Sequence, residues 1–164
     1  MKKILFILLV FICNSCGFYS FTGASIQNDV KTFSVDYFIN KSNNINASLS
    51  SVFTETLKEH ITSQTSLDEI ENNGDVTFEG EIISYSIKPI SIQSNEIARQ
   101  NRLTIKVKVE FKNQSEINSN FTSNFSRYKD FPASENLSQV EETYMQEICI
   151  ELAEDIFNKS FVNW

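Results

Sequence analysis

Apolar residues recur along this chain in two periods, and the switches between the periods divide it into elements. Phe33, Val35 and Tyr37 alternate with Ser34 and Asp36, the period-two signature of a half-buried strand. The polar stretch Asn40-Lys41-Ser42-Asn43-Asn44 follows as a loop, leading to a helix cap at Asn46 or Ser48. Leu49, Val52, Phe53, Leu57 and Ile61 then recur every three or four residues, so one face of that helix is apolar. A turn at Asn72-Asn73-Gly74-Asp75 opens a second strand with Val76, Phe78, Gly80 and Ile82 on one face. Beyond it the apolar set changes parity to Ile83, Tyr85 and Ile87, which predicts a bulge or bend near Ile82-Ile83. Pro89 disfavours further central pairing, and residues 90–100 read as a hairpin connection, open to movement.

The clearest strand comes next: Leu103, Ile105, Val107, Val109 and Phe111 alternate without error against Arg102, Thr104, Lys106, Lys108 and Glu110. After a polar loop over 112–119, Phe121, Ser123 and Phe125 mark a fourth strand running to Tyr128 and broken at Phe131-Pro132. Ser138-Gln139-Val140-Glu141 has the capping-box spacing, and Leu137, Val140, Tyr144, Ile148, Leu152 and Ile156 continue a long closing helix. The order strand, helix, strand, strand, strand, helix predicts an α+β fold, a two-layer sandwich with two helices packed on a four-stranded mixed sheet. The crossover helix favours parallel pairing of the first two strands, and the last three can form an antiparallel meander. Two amphipathic helices need one common apolar surface, so the other sheet face is left solvated or held against a partner.

The amino-terminal pattern differs from both periods. Met1-Lys2-Lys3 is basic, Ile4 to Ile12 is an unbroken apolar run, and Asn14-Ser15-Cys16-Gly17 places small or polar residues around a thiol. This is the order of a secretory signal, and the run is short of the about 20 residues that span a bilayer. The segment resembles the lipobox of bacterial lipoproteins, which implies cleavage after residue 15 and a diacylglyceryl and N-acyl lipid on Cys16. Each buried methylene contributes about 0.8 kcal/mol, so such chains hold a protein stably on a membrane. The expected organisation is a signal peptide over 1–15, a lipidated aromatic and Gly/Ser/Thr tether over 16–29, and one domain over 30–164.

Composition narrows what that domain can do. The signal removes two of the 14 basic residues, so 12 Lys+Arg face 21 Asp+Glu and the mature net charge is −9. A surface of that sign repels nucleic acid, and no Lys/Arg-rich run offsets it. With Cys13 removed and Cys16 acylated, Cys149 is the one remaining thiol: no internal disulfide or four-ligand zinc site is available, and its helical position reads as a small buried hydrophobe. His60 is the single histidine, at the margin of the first helix's apolar stripe, where a packed side chain outweighs a catalytic base. Glu147, Glu151 and Glu154 line a solvated helix stripe. Asp68, Glu69, Glu71 and Asp75 gather near a turn without the ligand spacing of a calcium loop. The four glycines do not form a phosphate loop. No catalytic constellation, metal site or cofactor site emerges, and an enzyme is not expected. The one positive feature is Arg102, Lys106 and Lys108, which share the polar face of the third predicted strand. Such a row can hold anionic groups through charge-assisted hydrogen bonds, or simply pair across strands with acidic neighbours.

Several stretches together resemble the LPS-assembly lipoprotein family, LptE, in its Bacteroidetes-type form. They are the lipobox with Cys16-Gly17-Phe18-Tyr19-Ser20-Phe21-Thr22-Gly23, Thr32-Phe33-Ser34-Val35 with the Asn40 turn, Gly74-Asp75-Val76-Thr77-Phe78-Glu79-Gly80, Asn101-Arg102-Leu103-Thr104-Ile105, and Ile156-Phe157-Asn158-Lys159 through Trp164. The resemblance implies a lipid-anchored, periplasm-facing protein of the outer membrane that plugs and helps assemble the LptD β-barrel and binds lipopolysaccharide, with no active site. Gly17 after the modified cysteine, with no acidic run, fits that destination. Arg102, Lys106 and Lys108 become candidates for lipopolysaccharide contact. A stand-alone periplasmic lipoprotein binding a peptide or another envelope lipid is the alternative.

Overall fold

The computed structural model describes residues 26–44, 46–90 and 99–162. In chain order it holds β1 (Thr32–Val35), β2 (Ile39–Asn40), α1 (Leu49–Gln64), β3 (Asp68–Glu69), β4 (Val76–Ile90), β5 (Gln100–Asn113), a single 3-10 turn (Ile117–Ser119), β6 (Phe121–Pro132) and α2 (Leu137–Phe161). The strands form one mixed sheet in the order β3-β1-β4-β5-β6, with β2 pairing β4 just beyond β1. As predicted, the fold is α+β with two helices on one sheet face. The sheet has six strands rather than four, because β2 and β3 are two residues each and too short to leave a period in the sequence.

β1 runs parallel to β4, with Phe33 opposite Val76 and Val35 opposite Phe78, as the crossover through α1 requires. β4, β5 and β6 form the antiparallel meander, and the expected irregularity appears as a register shift between Ile82 and Ser84. That shift keeps Tyr85 and Ile87 on the same inner face as Val76, Phe78 and Ile82, so one bulge reconciles the two parities. Leu103, Ile105, Val107, Val109 and Phe111 are fully or almost fully buried on that face. Leu49, Phe53, Leu57 and Ile61 of α1 and Ile148, Leu152, Ile156 and Phe161 of α2 close the core from above.

Five local expectations are corrected. Tyr37 does not continue the first strand's buried face: the strand ends at Val35, Tyr37 is exposed, and Phe38 enters the core edge-on to Phe53 with ring centroids 5.0 Å apart. β4 continues through Pro89 and β6 runs to Pro132, past the predicted stop at Tyr128. β6 is an edge strand and no described strand pairs with the far side of β4 at Pro89, so a missing N–H costs no ladder bond. The connection between β4 and β5 shortens to 91–99, of which 91–98 lie outside the described residues. Finally, α2 is capped by Asn136, whose side chain accepts from the Ser138 N–H, rather than by a Ser138–Glu141 box. Glu141 instead reaches across the layers, accepting from the Tyr85 hydroxyl and from Asn46 Nδ2 at 2.9 Å. Burial and that carboxylate push the Tyr85 hydroxyl well above its usual pKa.

Candidate polar sheet face

With the helices covering one side of the sheet, the opposite side of β4, β5 and β6 is the open face. Its middle row is Arg102, Thr104, Lys106, Lys108, Glu110 and Lys112, each flanking a buried inner-face residue. The three predicted cations therefore do share one face, but their surroundings differ.

Arg102 is committed. Its Nε and Nη2 donate to the two carboxylate oxygens of Asp130 on β6 at 2.6 and 2.7 Å, and its guanidinium lies 3.7 Å from the centre of the Tyr128 ring. A bidentate pair stacked on an aromatic ring fixes the fork geometrically. Asp130 is held below the usual carboxylate range by that guanidinium. Lys108 stands opposite Glu81 on β4 and Asn124 on β6, above a shallow depression of about 220 Å³ lined also by Glu79 and Glu110. Glu81 itself pairs with Lys41 at 2.6 Å, and the hydrogen bond from Lys41 is the main cause of its lowered pKa. Lys106 has only hydroxyl neighbours across the ladder, Ser84 and Ser126. Lys106 and Lys108 form no ion pair among the described residues. Lys88, exposed and opposite Arg102, belongs to the same face. It went unseen in the sequence because the bulge reverses the parity of β4 before it. Further along, Lys112 is taken up by Glu79 at 2.9 Å and Glu110 at 3.3 Å. The face offers an anionic ligand Lys88, Lys106 and Lys108, set among serine, threonine and asparagine groups that can donate or accept.

The remaining chemical candidates resolve into structure. Cys149 is buried in α2 and desolvation pushes its thiol up to about 12, so it is an inert core residue. His60 packs edge-on against Phe157 with centroids 5.3 Å apart, and burial lowers its pKa. Asp75 Oδ2 accepts from the Lys31 N–H at 2.8 Å and from the N–H and hydroxyl of Thr32, both at 2.9 Å, fastening β1 to the start of β4. Asp68 and Glu69 lie in β3, with Glu69 3.1 Å from Lys58. Glu147 pairs with Lys129. Among the described residues no group of three or more His, Cys, Asp or Glu side chains is placed to hold a metal ion. None of their helices is long and apolar enough to cross a membrane. Cys16 lies outside the described residues.

A family model described as LptE, Lipopolysaccharide-assembly, matches residues 30–160. The chain belongs to the LptE family. LptE is a family of lipoproteins for lipopolysaccharide assembly and not of enzymes, so the role of this LptE-family chain lies in lipopolysaccharide assembly in the cell envelope. Two solved structures are similar in fold. One is a minor lipoprotein from Acinetobacter baumannii, with a TM-score of 0.52 at 12% identity over 79% of this chain and 91% of that one. The other is a putative neuraminyllactose-binding hemagglutinin homolog from Helicobacter pylori, with a TM-score of 0.53 at 11% identity over 86% and 88%. The rare lipoprotein B from Shewanella oneidensis also matches, with a TM-score of 0.44 at 13% identity over 76% and 91%. No curated protein matches in sequence.

Proposed function

We propose that this LptE-family chain is a periplasm-facing lipoprotein of the outer membrane, released from a signal peptide over 1–15 and anchored by lipid on Cys16. Residues 16–29 form the tether and 30–164 the domain. It seats as a plug in an LptD-type β-barrel and holds lipopolysaccharide as it passes to the outer leaflet. The observation that carries the ligand part is the open face of β4, β5 and β6, where Lys106 and Lys108 stand without ion-pair partners among the described residues beside the exposed Lys88. Phosphorylated lipid headgroups are anions for which such ammonium groups are fitted donors, and the flanking hydroxyls suit sugar hydroxyls. Arg102 shapes the face instead of serving the ligand, since Asp130 already fills its fork.

Two measurements test this reading. Solubilised membranes should yield the chain together with a large β-barrel, and recovery as a free monomer at native expression removes the plug. Lys88→Glu, Lys106→Glu and Lys108→Glu together should weaken capture of lipopolysaccharide by about ten-fold or more at low salt, with less effect at high salt, while the unfolding midpoint stays in place. Unchanged capture removes the sheet face as the ligand site. Arg102→Glu is left out of that set, because it would put two carboxylates where Arg102 and Asp130 now pair.

A further inference from the structure

β6 closes one side of the sheet, and no described strand pairs with its outer margin. The ladder inside the sheet shows which of its backbone groups face that way. The Ala133 N–H donates to the Arg99 carbonyl at 2.8 Å, one step beyond the facing pair Gln100 and Pro132. In an antiparallel ladder successive residues turn alternately toward the partner strand and away from it, so the odd-numbered residues of β6 spend their N–H and C=O groups on β5. Thr122, Asn124, Ser126, Tyr128 and Asp130 therefore turn theirs outward, and Pro132, with no N–H to leave unpaired, ends the set.

A margin of this length is a template for another strand, and charged side chains commonly blunt such a template. Here the cations of β6 are turned back onto the chain's own α2: Arg127 pairs with Asp155 at 2.6 Å, and Lys129 pairs with Glu147. Lys159 of α2 donates to Ser123 Oγ at 2.6 Å and stands 4.9 Å from the centre of the Phe121 ring. Phe121 and Phe125, with ring centroids 6.4 Å apart, are only partly buried there. The margin thus combines outward backbone groups and half-covered rings with cations that are already neutralised.

We propose that a second copy of this chain pairs with β6, antiparallel, about a two-fold axis at Ser126, joining two sheets into one. The sequence of β6 selects this register. With the axis at Ser126, Thr122 faces Asp130 of the second copy, Asn124 faces Tyr128 and Ser126 faces itself, so all five outward residues are matched and about ten ladder hydrogen bonds form. On the inner side Arg127 meets Phe125 of the second copy, a cation beside a half-covered ring, and Lys129 meets Ser123. No like charges stand directly opposite, and the two Arg127 side chains, diagonal neighbours across the axis, each keep their Asp155. Moving the axis to Arg127 sets that guanidinium against its own copy and Thr122 against Pro132, and moving it to Phe125 leaves Asp130 facing Asn120, outside the strand. Such a contact is isologous and closes at two subunits. The axis stands perpendicular to the sheet, so both polar faces look the same way and the Lys88, Lys106 and Lys108 groups of the two copies share one surface.

The test follows the full chain in detergent by sedimentation over a dilution series, without barrel or lipopolysaccharide, so it stands apart from the proposed function. The wild type should sediment as a reversible dimer. Ser126→Lys and Ser126→Glu each set like charges across the axis and should weaken pairing by about ten-fold or more, whereas an equal mixture of the two should restore it as a heterodimer. Ser126 is exposed, so neither variant should shift the unfolding midpoint. Under mild oxidation Ser126→Cys should give a disulfide-linked dimer, since its Cα atoms face each other at about 5.5 Å. Thr122→Cys should not, because the axis separates the two thiols by eight residues at about 3.4 Å each, about 27 Å in all. A wild type that stays a monomer at every dilution overturns the pairing, and a monomer that carries a different protein on this margin does the same. So do a mixture that fails to associate, dimers unaffected by either charge variant, and Thr122→Cys linking as readily as Ser126→Cys.

Discussion

Gly80 is a residue at which one hydrogen atom decides the packing. A Cβ there would stand 2.1 Å from the Lys108 carbonyl oxygen and 2.6 Å from Phe38 Cε1, so neither the β4–β5 ladder nor the Phe38 ring leaves room for a methyl group. Gly80→Ala should lower stability by about 1–3 kcal/mol, the usual cost of overpacking, read as a fall in the urea midpoint with an unchanged slope. Asp75 makes a prediction of a different kind. Its three hydrogen bonds from Lys31 and Thr32 hold the folded-state carboxyl below its ordinary pKa. A carboxyl depressed by folding stabilises the protein above its unfolded value, near pH 4, and loses that contribution as pH falls through the folded value. The stability gap between wild type and Asp75→Asn should therefore be widest near pH 6 and shrink below about pH 4. A gap independent of pH would mean that the carboxylate charge is not what fastens β1. The same scale separates three cations that the sequence presents as equivalents. Arg102, Lys106 and Lys108 alternate identically along β5, yet only the first is paired with Asp130 and stacked on Tyr128, 28 and 26 positions away.

Among the described elements, α2 contributes the most buried residues, eight, and it is bound to the sheet in two ways. Leu152, Ile156 and Phe161 lie in the core, while Asp155 pairs with Arg127 at 2.6 Å and Glu147 with Lys129, both cations rising from the inner side of β6. These ion pairs are largely exposed and worth about 0–1 kcal/mol each, whereas a buried leucine is worth several times more. Leu152→Ala should cost about 2–5 kcal/mol and Arg127→Ala no more than about 1 kcal/mol, both from denaturant unfolding. A comparable loss in the two variants would contradict that division. These elements also mark where the chain is legible. β5 is readable because it is buried on one face over its whole length, so alternation is complete. α1 and β4 are readable for the same reason, the latter through a bulge that its parity change exposes. β2 and β3 are not, because two paired residues impose no period. β4 and β6 run past the ends that their prolines suggest in the sequence, because proline interrupts a strand only where its missing N–H faces a partner, and on an unpaired side it is harmless. The candidate face is legible as a row of cations, but which of them are ion-paired depends on cross-strand register, and Lys88 joins only once the bulge is placed.

At the scale of the whole molecule, the two sides of the sheet differ: the helices occupy one, and the other carries the polar row of β5, which the proposed function assigns to ligand. The topology has a further consequence, in the order of assembly. β4, β5 and β6 join through neighbouring hairpins, but β1 is inserted between β3 and β4, and its fastening residue Thr32 lies 43 positions from Asp75. Local pairings form before distant ones, because a long loop must close before its contacts return anything. β1 should then lock after the meander has formed. Phe33→Leu should accordingly hasten unfolding while leaving the refolding rate nearly unchanged, as measured by stopped-flow denaturant jumps. If refolding slows in proportion to the lost stability, β1 belongs to the nucleus instead. Until that strand arrives, the β1 side of β4 is a bare, pairing-competent margin with Val76 and Phe78 beside it. A newly made chain is for that interval most prone to join its neighbours, and the piece that ends the hazard is its own β1.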